Sequence, residues 1–311
     1  MSRDGVQGAL PPSMRFFERG WLSSNNILFL DEDGTASLVD TGYVSHAPQT
    51  EALLDAALAD RPLTRILNTH LHSDHCGGNA HLAARFKASI WIPPGSAEAV
   101  SRWDADALTF AATGQRCPRF AWQQLLEPGA TVRLGALDWE VLAAPGHDPH
   151  SVVLWCAAQR LLISADALWE QGFGVIFPEI EGKSGFAEQA AMLELIARLA
   201  PRLVLPGHGA PFTDVAAALE RARGRLAALS ASPARNARHA ARALLKFYLL
   251  EVRQAGFDAL VAHCAAARYF PLINQRYFGQ PFEDFVRMIG ADLVRADAAR
   301  VRDNALVNHD A

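Results

Sequence analysis

The chain has 311 residues, 50% of them hydrophobic and 20% charged, with a net charge of −4 and a mean hydropathy near zero. These values describe a globular chain with enough material for one large core, or for one core and a smaller appendage. They exclude a low-complexity segment or a heavily charged tail as the main feature. Charge is unevenly spread: residues 1–219 carry 15 basic against 24 acidic side chains, and residues 220–311 carry 14 against 9. Such a basic end serves either an anionic partner or, more simply, a solvated helical surface.

The four cysteines, Cys76, Cys117, Cys156 and Cys264, form no C-x-x-C pair and read as reduced, mostly buried thiols. The start "MSRDGVQGALPPSMRFF" has no apolar h-region, and no run of about 18 apolar residues follows. A cytoplasmic protein without a membrane segment is expected.

In chain order, "MRFFERGW" and "NNILFLDEDGTASLVDTG" read as strands, the second pair joined by the turn "DEDGT". A helix over residues 50–59 follows, then a strand at "LTRILNT". "ASIWIPP", "LDWEVLAAPG", "SVVLWCAAQRLLISAD" and "RLVLPGHG" are further strands, with helical patterns such as "GFAEQAAMLELIARLA" between them. This alternation predicts a layered α/β arrangement with helices outside the sheets. After about Ala216 the β signals fade. "ARHAARALLKFYLLEVRQ" sets Leu244, Leu245, Tyr248, Leu249 and Val252 on one helical face, which reads as core, and two more helices follow. Residues 1–215 and 216–311 are thus expected as two domains, the second small and mainly helical.

One stretch stands apart. "NTHLHSDHCGGN" places His70, His72, Asp74 and His75 within six positions, followed by Gly77 and Gly78. On an extended chain His70 and His72 point the same way and reach one ion, while Asp74 and His75 lie where the chain turns and can face elsewhere. Imidazole suits zinc, and a carboxylate adds a harder ligand that neutralises charge. Three later segments each place one ligand-type residue at a strand's end: His147 in "AAPGHDPHS", Asp166 in "LLISADAL" and His208 in "LVLPGHGAPF". An unpaired carboxylate closing an apolar strand is costly unless something balances it. Together these are seven ligands, suited to two ions sharing one carboxylate.

H-x-H-x-D-H with G-G, then P-G-H, an aspartate closing a strand and G-H-G, resembles the metallo-β-lactamase superfamily of metallohydrolases over roughly residues 14–215. "LVDTG" at residues 38–42 matches its early strand–turn element. The resemblance implies an αβ/βα sandwich of two mixed sheets with outer helices. It implies that His70, His72 and His147 hold a first divalent metal ion. Asp74, His75 and His208 hold a second, and Asp166 bridges the two, zinc being the leading choice with iron and manganese as options. The sequence departs from the usual T-P-G after the third histidine, having Asp148-Pro149-His150, and carries Ala165 where many relatives have glycine. The C-terminal segment is similar to the helical or winged-helix appendage of glyoxalase II-like relatives.

Hydrolysis of a small-molecule thioester, ester or lactone by a metal-bound hydroxide is therefore expected, with Asp74 both ligand and orienting group. There is no G-x-S-x-G, and Cys76 reads as buried rather than nucleophilic. Trp169, Phe173, Phe177 and His150 are expected near the substrate. The insertion carrying Trp103, Phe110, Phe120 and Trp122 reads equally as pocket or as packing. The alternative is a nuclease holding RNA or DNA on the basic C-terminal domain, including Arg235 and Arg238, although no basic stripe with stacking aromatics appears. An iron-dependent persulfide dioxygenase and a β-lactamase are less favoured, because the ligand set is complete and no signal peptide is seen. A homodimer is left open.

Overall fold

The computed structural model describes residues 10–309. β1 (Met14–Phe17), β2 (Asn26–Leu30) and β3 (Ala36–Val39) make an antiparallel ladder, in which Phe29 faces Met14 and Leu28 faces Leu38. α1 (Ala47–Ala57) then carries the chain across to β4 (Leu63–Leu67), parallel to β3. α2 (Ser73–Cys76) and α3 (Asn79–Phe86) lead to β5 (Ser89–Ile92). α4 (Ala97–Arg102) and α5 (Phe110–Thr113) lead to β6 (Gln124–Leu125), so the first sheet runs in chain order from β1 to β6.

The second sheet comprises β7 (Thr131–Leu134), β8 (Leu137–Ala143), β9 (Val152–Cys156) and β10 (Leu161–Ala165). After α6 (Phe177–Glu181) and α7 (Phe186–Leu199) it is completed by β11 (Leu203–Pro206). Its order is β11-β10-β9-β8-β7, antiparallel except for the parallel pair β10–β11.

Strand alternation explains the layers. Ile27, Phe29 and Val39 point inward against Trp139, Val141, Leu154, Ile163 and Leu205 of the second sheet, filling the gap between sheets. The intervening residues Leu28, Leu38 and Ile66 point outward against Leu54 and Leu58 of the α1 segment and Leu82 of α3. Val153, Trp155, Leu162 and Val204 likewise pack outward against Met192, Leu193 and Ile196 of α7. β9, β10 and β11 are buried at every residue because helices cover the outer face, which is why their sequences run apolar without alternation. These are the two mixed sheets with outer helices that the family resemblance led us to expect.

α8 (Val215–Ser230) begins on Asp214, whose side chain accepts from the Ala217 N–H. It buries Ala218, Leu219, Ala222 and Leu226 in the same cluster as Val204 and α7, as an outer helix of the sandwich. α9 (Pro233–Val252), β12 (Gln254–Gly256), α10 (Phe257–Ala266), α11 (Tyr269–Ile273), α12 (Phe282–Arg295), β13 (Ala299–Arg302) and β14 (Ala305–Asn308) follow. On this packing we propose that the division expected at 215/216 falls in the turn between α8 and α9.

The C-terminal core gathers Leu244, Leu245 and Leu249 of α9 with Phe270, Phe285, Ile289 and Leu293. Of the expected stripe, Tyr248 packs at its edge and Val252, at the helix end, is 36% exposed. A three-stranded antiparallel sheet, β12-β14-β13, accompanies the helices. Its strands are three or four residues long, and β13 is exposed at all but its first residue, so the runs are too short for alternation to announce them. The same core takes in Ala112 of α5, Val175, and Ile180 of α6, binding α9 over that end of the sheets. Tyr43 adds a hydrogen bond to Glu251, at 2.8 Å, and a ring contact with Phe247. No helix among the described residues is long and apolar enough to cross a membrane.

Candidate metal centre

The parallel pairs β3–β4 and β10–β11 bring several strand C-termini to one end of the sandwich, and each delivers a ligand-type side chain there. His70 and His72 follow the end of β4, His72 in extended conformation. At His72 (φ −66°, ψ 149°) the chain enters the single helical turn α2, which rotates Asp74 and His75 away from the direction of the first two. His147 follows β8, Asp166 follows β10 and His208 follows β11.

The seven residues converge in overlapping groups: His70, His72 and His147; His70, His75 and Asp166; and Asp74, His75 and His208. His72 Nδ1 lies 3.1 Å from His70 Nε2 and 2.8 Å from His147 Nε2. Asp166 faces both sides, its Oδ2 at 3.4 Å from His147 Nε2 and its Oδ1 at 3.4 Å from His75 Nε2. His208 Nε2 lies 3.1 Å from Asp74 Oδ2 and 3.9 Å from Asp166 Oδ1. Two donors on one tetrahedral zinc, each about 2.1 Å from it, sit about 3.4 Å apart, so these separations fit ligands of a shared ion. The buried His75 Nε2 also finds no hydrogen-bond acceptor within the protein.

The outward nitrogens fix the rings. His75 donates from Nδ1 to Asp40 Oδ2 at 2.8 Å, and His147 donates from Nδ1 to the Val175 carbonyl at 2.5 Å, which leaves each Nε2 lone pair facing the site. Asp40 is itself held by the Thr69 N–H and hydroxyl. His72 Nε2 has Asp148 Oδ2 at 3.8 Å, and the His150 N–H orients that carboxylate.

Burial, and then neighbouring imidazoles, holds His70 well below its ordinary value. Burial likewise takes His72 and His147 down to about 4, keeping all three neutral as ligands must be. Burial also opposes charge on Asp166 and Asp74. The surrounding histidines outweigh it, and both carboxyls stay below the usual range. For His75 burial is again the largest influence, yet Asp166, Asp40 and Asp74 raise its pKa well above normal. Three carboxylates around one imidazole form a charge set that a divalent cation balances.

The backbone is fitted to this arrangement. A Cβ on Gly207 would come within 2.3 Å of Asp166 Oδ1, and one on Gly78 within 2.7 Å of the Thr41 carbonyl. Ala165 adopts φ +45°, the left-handed region where glycine is easier, consistent with its place as a departure from relatives. Cys76 is fully buried and burial pushes its thiol up, as suits packing; its sulfur lies 3.7 Å from that of Cys117.

A cavity of about 420 Å³ opens on the ligands. Trp169 and Phe177 line it together with Trp21 and, from α9, His239, Phe247 and Leu250. Trp21, 57% exposed, stacks on the His208 ring at 5.3 Å. Of the residues expected near substrate, Phe173 is fully buried and lies under the Arg225 guanidinium instead of lining the cavity. His150 lines a neighbouring cavity with Asp148 and Tyr269. Phe110 and Phe120 are buried in the outer core of the first sheet, with Trp103 and Trp122 packed against it, so that insertion is packing. Sequence reasoning missed Asp40, Trp21 and the α9 wall. Asp40 alone carried a signal, as a carboxylate closing the apolar run of β3.

The fold and this convergence define a metal-dependent hydrolase. The family model "Metallo-beta-lactamase superfamily" matches residues 19–208, and the chain belongs to that superfamily. It is 34% identical to a hydroxyacylglutathione hydrolase of Anaeromyxobacter dehalogenans, over 71% of this chain and 78% of the relative. It is 27% identical to the acyl-coenzyme A thioesterase MBLAC2 of Bos taurus, over 62% and 75% respectively. The chain spans 51–61% of the length of three further hydroxyacylglutathione hydrolases. A beta-lactamase domain protein from Burkholderia ambifaria shares the fold with a TM-score of 0.59 and 24% identity, across 96% of this chain and 93% of that one.

Proposed function

We propose that the chain is a binuclear hydrolase of small-molecule thioesters. The reading is carried by Asp166, whose two oxygens turn to two different groups of ligands. His70, His72 and His147 would hold one divalent ion and Asp74, His75 and His208 the other, with Asp166 facing both groups. The mixed imidazole and carboxylate set favours zinc among the divalent metals. Bound zinc lowers the pKa of a coordinated water to near 7 and polarises an acyl oxygen.

The chain's own residues do the rest. Asp74, kept ionised by His75 and His208 against the cost of burial, orients the attacking water by accepting a hydrogen bond from it. Asp40 and the Val175 carbonyl keep His75 and His147 in the ligating tautomer. Trp21, Trp169, Phe177 and Phe247 offer an apolar wall that holds the acyl chain and limits bulk water.

A thiolate suits such a site as leaving group, because a thiol of pKa near 8.5 departs without a general acid. The relatives' names, an acylglutathione hydrolase and an acyl-coenzyme A thioesterase, support the same bond. The basic end of the chain is partly spent on internal ion pairs such as Arg238–Asp292, which weakens the nuclease alternative.

The test is elemental analysis together with a panel of thioester, lactone, aryl ester, phosphodiester and RNA substrates. About two ions per chain are expected, with thioester turnover that is lost in Asp74→Ala and Asp166→Ala proteins. One ion or none, or turnover surviving both substitutions, would overturn the reading.

A further inference from the structure

The cavity that opens on the metal ligands has a second polar feature, the guanidinium of Arg225, which reaches it from α8. Arg225 donates from Nη2 to His239 Nε2 at 2.7 Å and lies with Cζ 5.0 Å from the centre of the Phe173 ring. Gly172 makes room for it, since a Cβ there would stand 2.6 Å from Nη1. Among the described residues no carboxylate pairs with Arg225, and its other N–H groups have no protein acceptor.

Arg19, also part-buried without a carboxylate, at least meets three neutral acceptors, in Asn26, Thr50 and Gln49. Arg238 is answered by Asp292 and Arg116 by Glu251. The cavity's other cation, Lys246, is tied to the Ala298 and His309 carbonyls and to Asn308 Oδ1. His239 brings no compensating charge. Burial, with Arg225 and Arg242 adding to it, takes its pKa to about 3, so it is a neutral acceptor that orients the guanidinium. A cation sheltered from water without a counter-charge is costly, and an anion supplied from outside removes that cost.

We infer that Arg225 is the docking point for a carboxylate carried by the substrate, so that the thioesters cleaved are acidic ones. The inference rests on the thioester reading above. A guanidinium presents two parallel donors to a carboxylate, and its planar fork is already held by Phe173 and His239. Ala243, Leu244, Phe247 and Leu250 make the α9 side of the wall apolar apart from Lys246, which is already tied to Ala298, His309 and Asn308. Arg225 thereby sets specificity through binding, and the reacting acyl carbon is left to the metal ligands.

The experiment uses the zinc-loaded full chain and two pairs of thioesters. S-butyryl-3-mercaptopropionate carries its carboxylate on the thiol half, and S-ethyl monothiosuccinate carries it on the acyl half; each is compared with its own methyl ester. One acid is expected to exceed its methyl ester in kcat/KM by roughly tenfold to a hundredfold, mainly through KM, and which one it is identifies the half. The preference should vanish in Arg225→Gln and survive in part in Arg225→Lys. Arg225→Lys keeps the charge and carries the comparison should Arg225→Gln not fold. Equal rates for acid and ester in the wild type, or a preference unchanged in the variants, would overturn the assignment.

A binding arm separates this from the thioester reading. Calorimetry with the uncleavable thioether 3-(butylthio)propionate and its methyl ester compares wild-type and variant proteins. Tighter binding of the acid that depends on Arg225 supports the site even where no thioester is cleaved. Binding indifferent to Arg225 counts against it.

Discussion

His75 and Asp40 are joined by a 2.8 Å hydrogen bond that decides which imidazole nitrogen faces Asp166. With Nδ1 committed to Asp40, Nε2 is the only ligating atom His75 has. The carboxylate also makes that nitrogen more basic and hence a better donor to a cation. Asp40→Ala is expected to weaken binding of one ion by roughly tenfold to a hundredfold, read by competition with a chromophoric chelator. Unchanged affinity at both sites would remove Asp40 from the metal centre.

Gly207 offers a steric test of the bridging carboxylate. A Cβ there would stand 2.3 Å from Asp166 Oδ1, so Gly207→Ala must displace the side chain that serves both groups of ligands. Metal content should fall below two ions per chain while the circular dichroism spectrum stays native. Full occupancy in this variant would mean that Asp166 does not bridge.

His239 predicts a pH dependence. Its pKa is about 3 in the folded chain, lowered from 6.5 first by burial and then by Arg225 and Arg242. A histidine lowered on folding is protonated first in the unfolded chain. Its contribution is therefore complete above about pH 6.5 and is lost as the pH falls from there towards 3. His239→Gln should flatten the fall of Tm between pH 6.5 and 4 relative to wild type. Scanning calorimetry showing parallel curves would contradict it.

Phe285 tests how the C-terminal unit is joined to the rest. It is fully buried in a core shared by α9, α12 and the sandwich residues Ala112, Val175 and Ile180. Phe285→Ala should cost about 3–5 kcal/mol and lower Tm in a single transition. Two separate transitions would show that the C-terminal unit melts independently of the site it covers.

Much of the centre was legible in the sequence because its signals are local. Six ligand-type residues stand in short motifs, or just past apolar strands where a charge or an imidazole is conspicuous, and the H-x-H-x-D-H run prefigures its own turn at α2. Asp166 was visible for the same reason, as a carboxylate closing β10. The alternation of strands with helices announced the layering; in the structure the two faces of β2 and β3 meet different partners.

What the sequence left open depends on which distant segments meet. α8 has an ordinary amphipathic pattern, and only its packing against Val204 and α7 makes it a layer of the sandwich. Cys76 and Cys117 lie 41 positions apart with nothing in either neighbourhood to pair them. The short strands β12 to β14 give the core only Ala255, Ala299 and Leu306 as buried apolar residues, too few to advertise a strand pattern. Trp21 and the α9 wall reach the cavity from opposite ends of the chain. Residue types and motif spacing pointed to a metal site on a layered α/β scaffold, and the family resemblance supplied the two sheets. Tertiary packing alone decided that α9 closes over that site and that Arg225 faces it without a carboxylate, because a counter-charge is a property of neighbours in space.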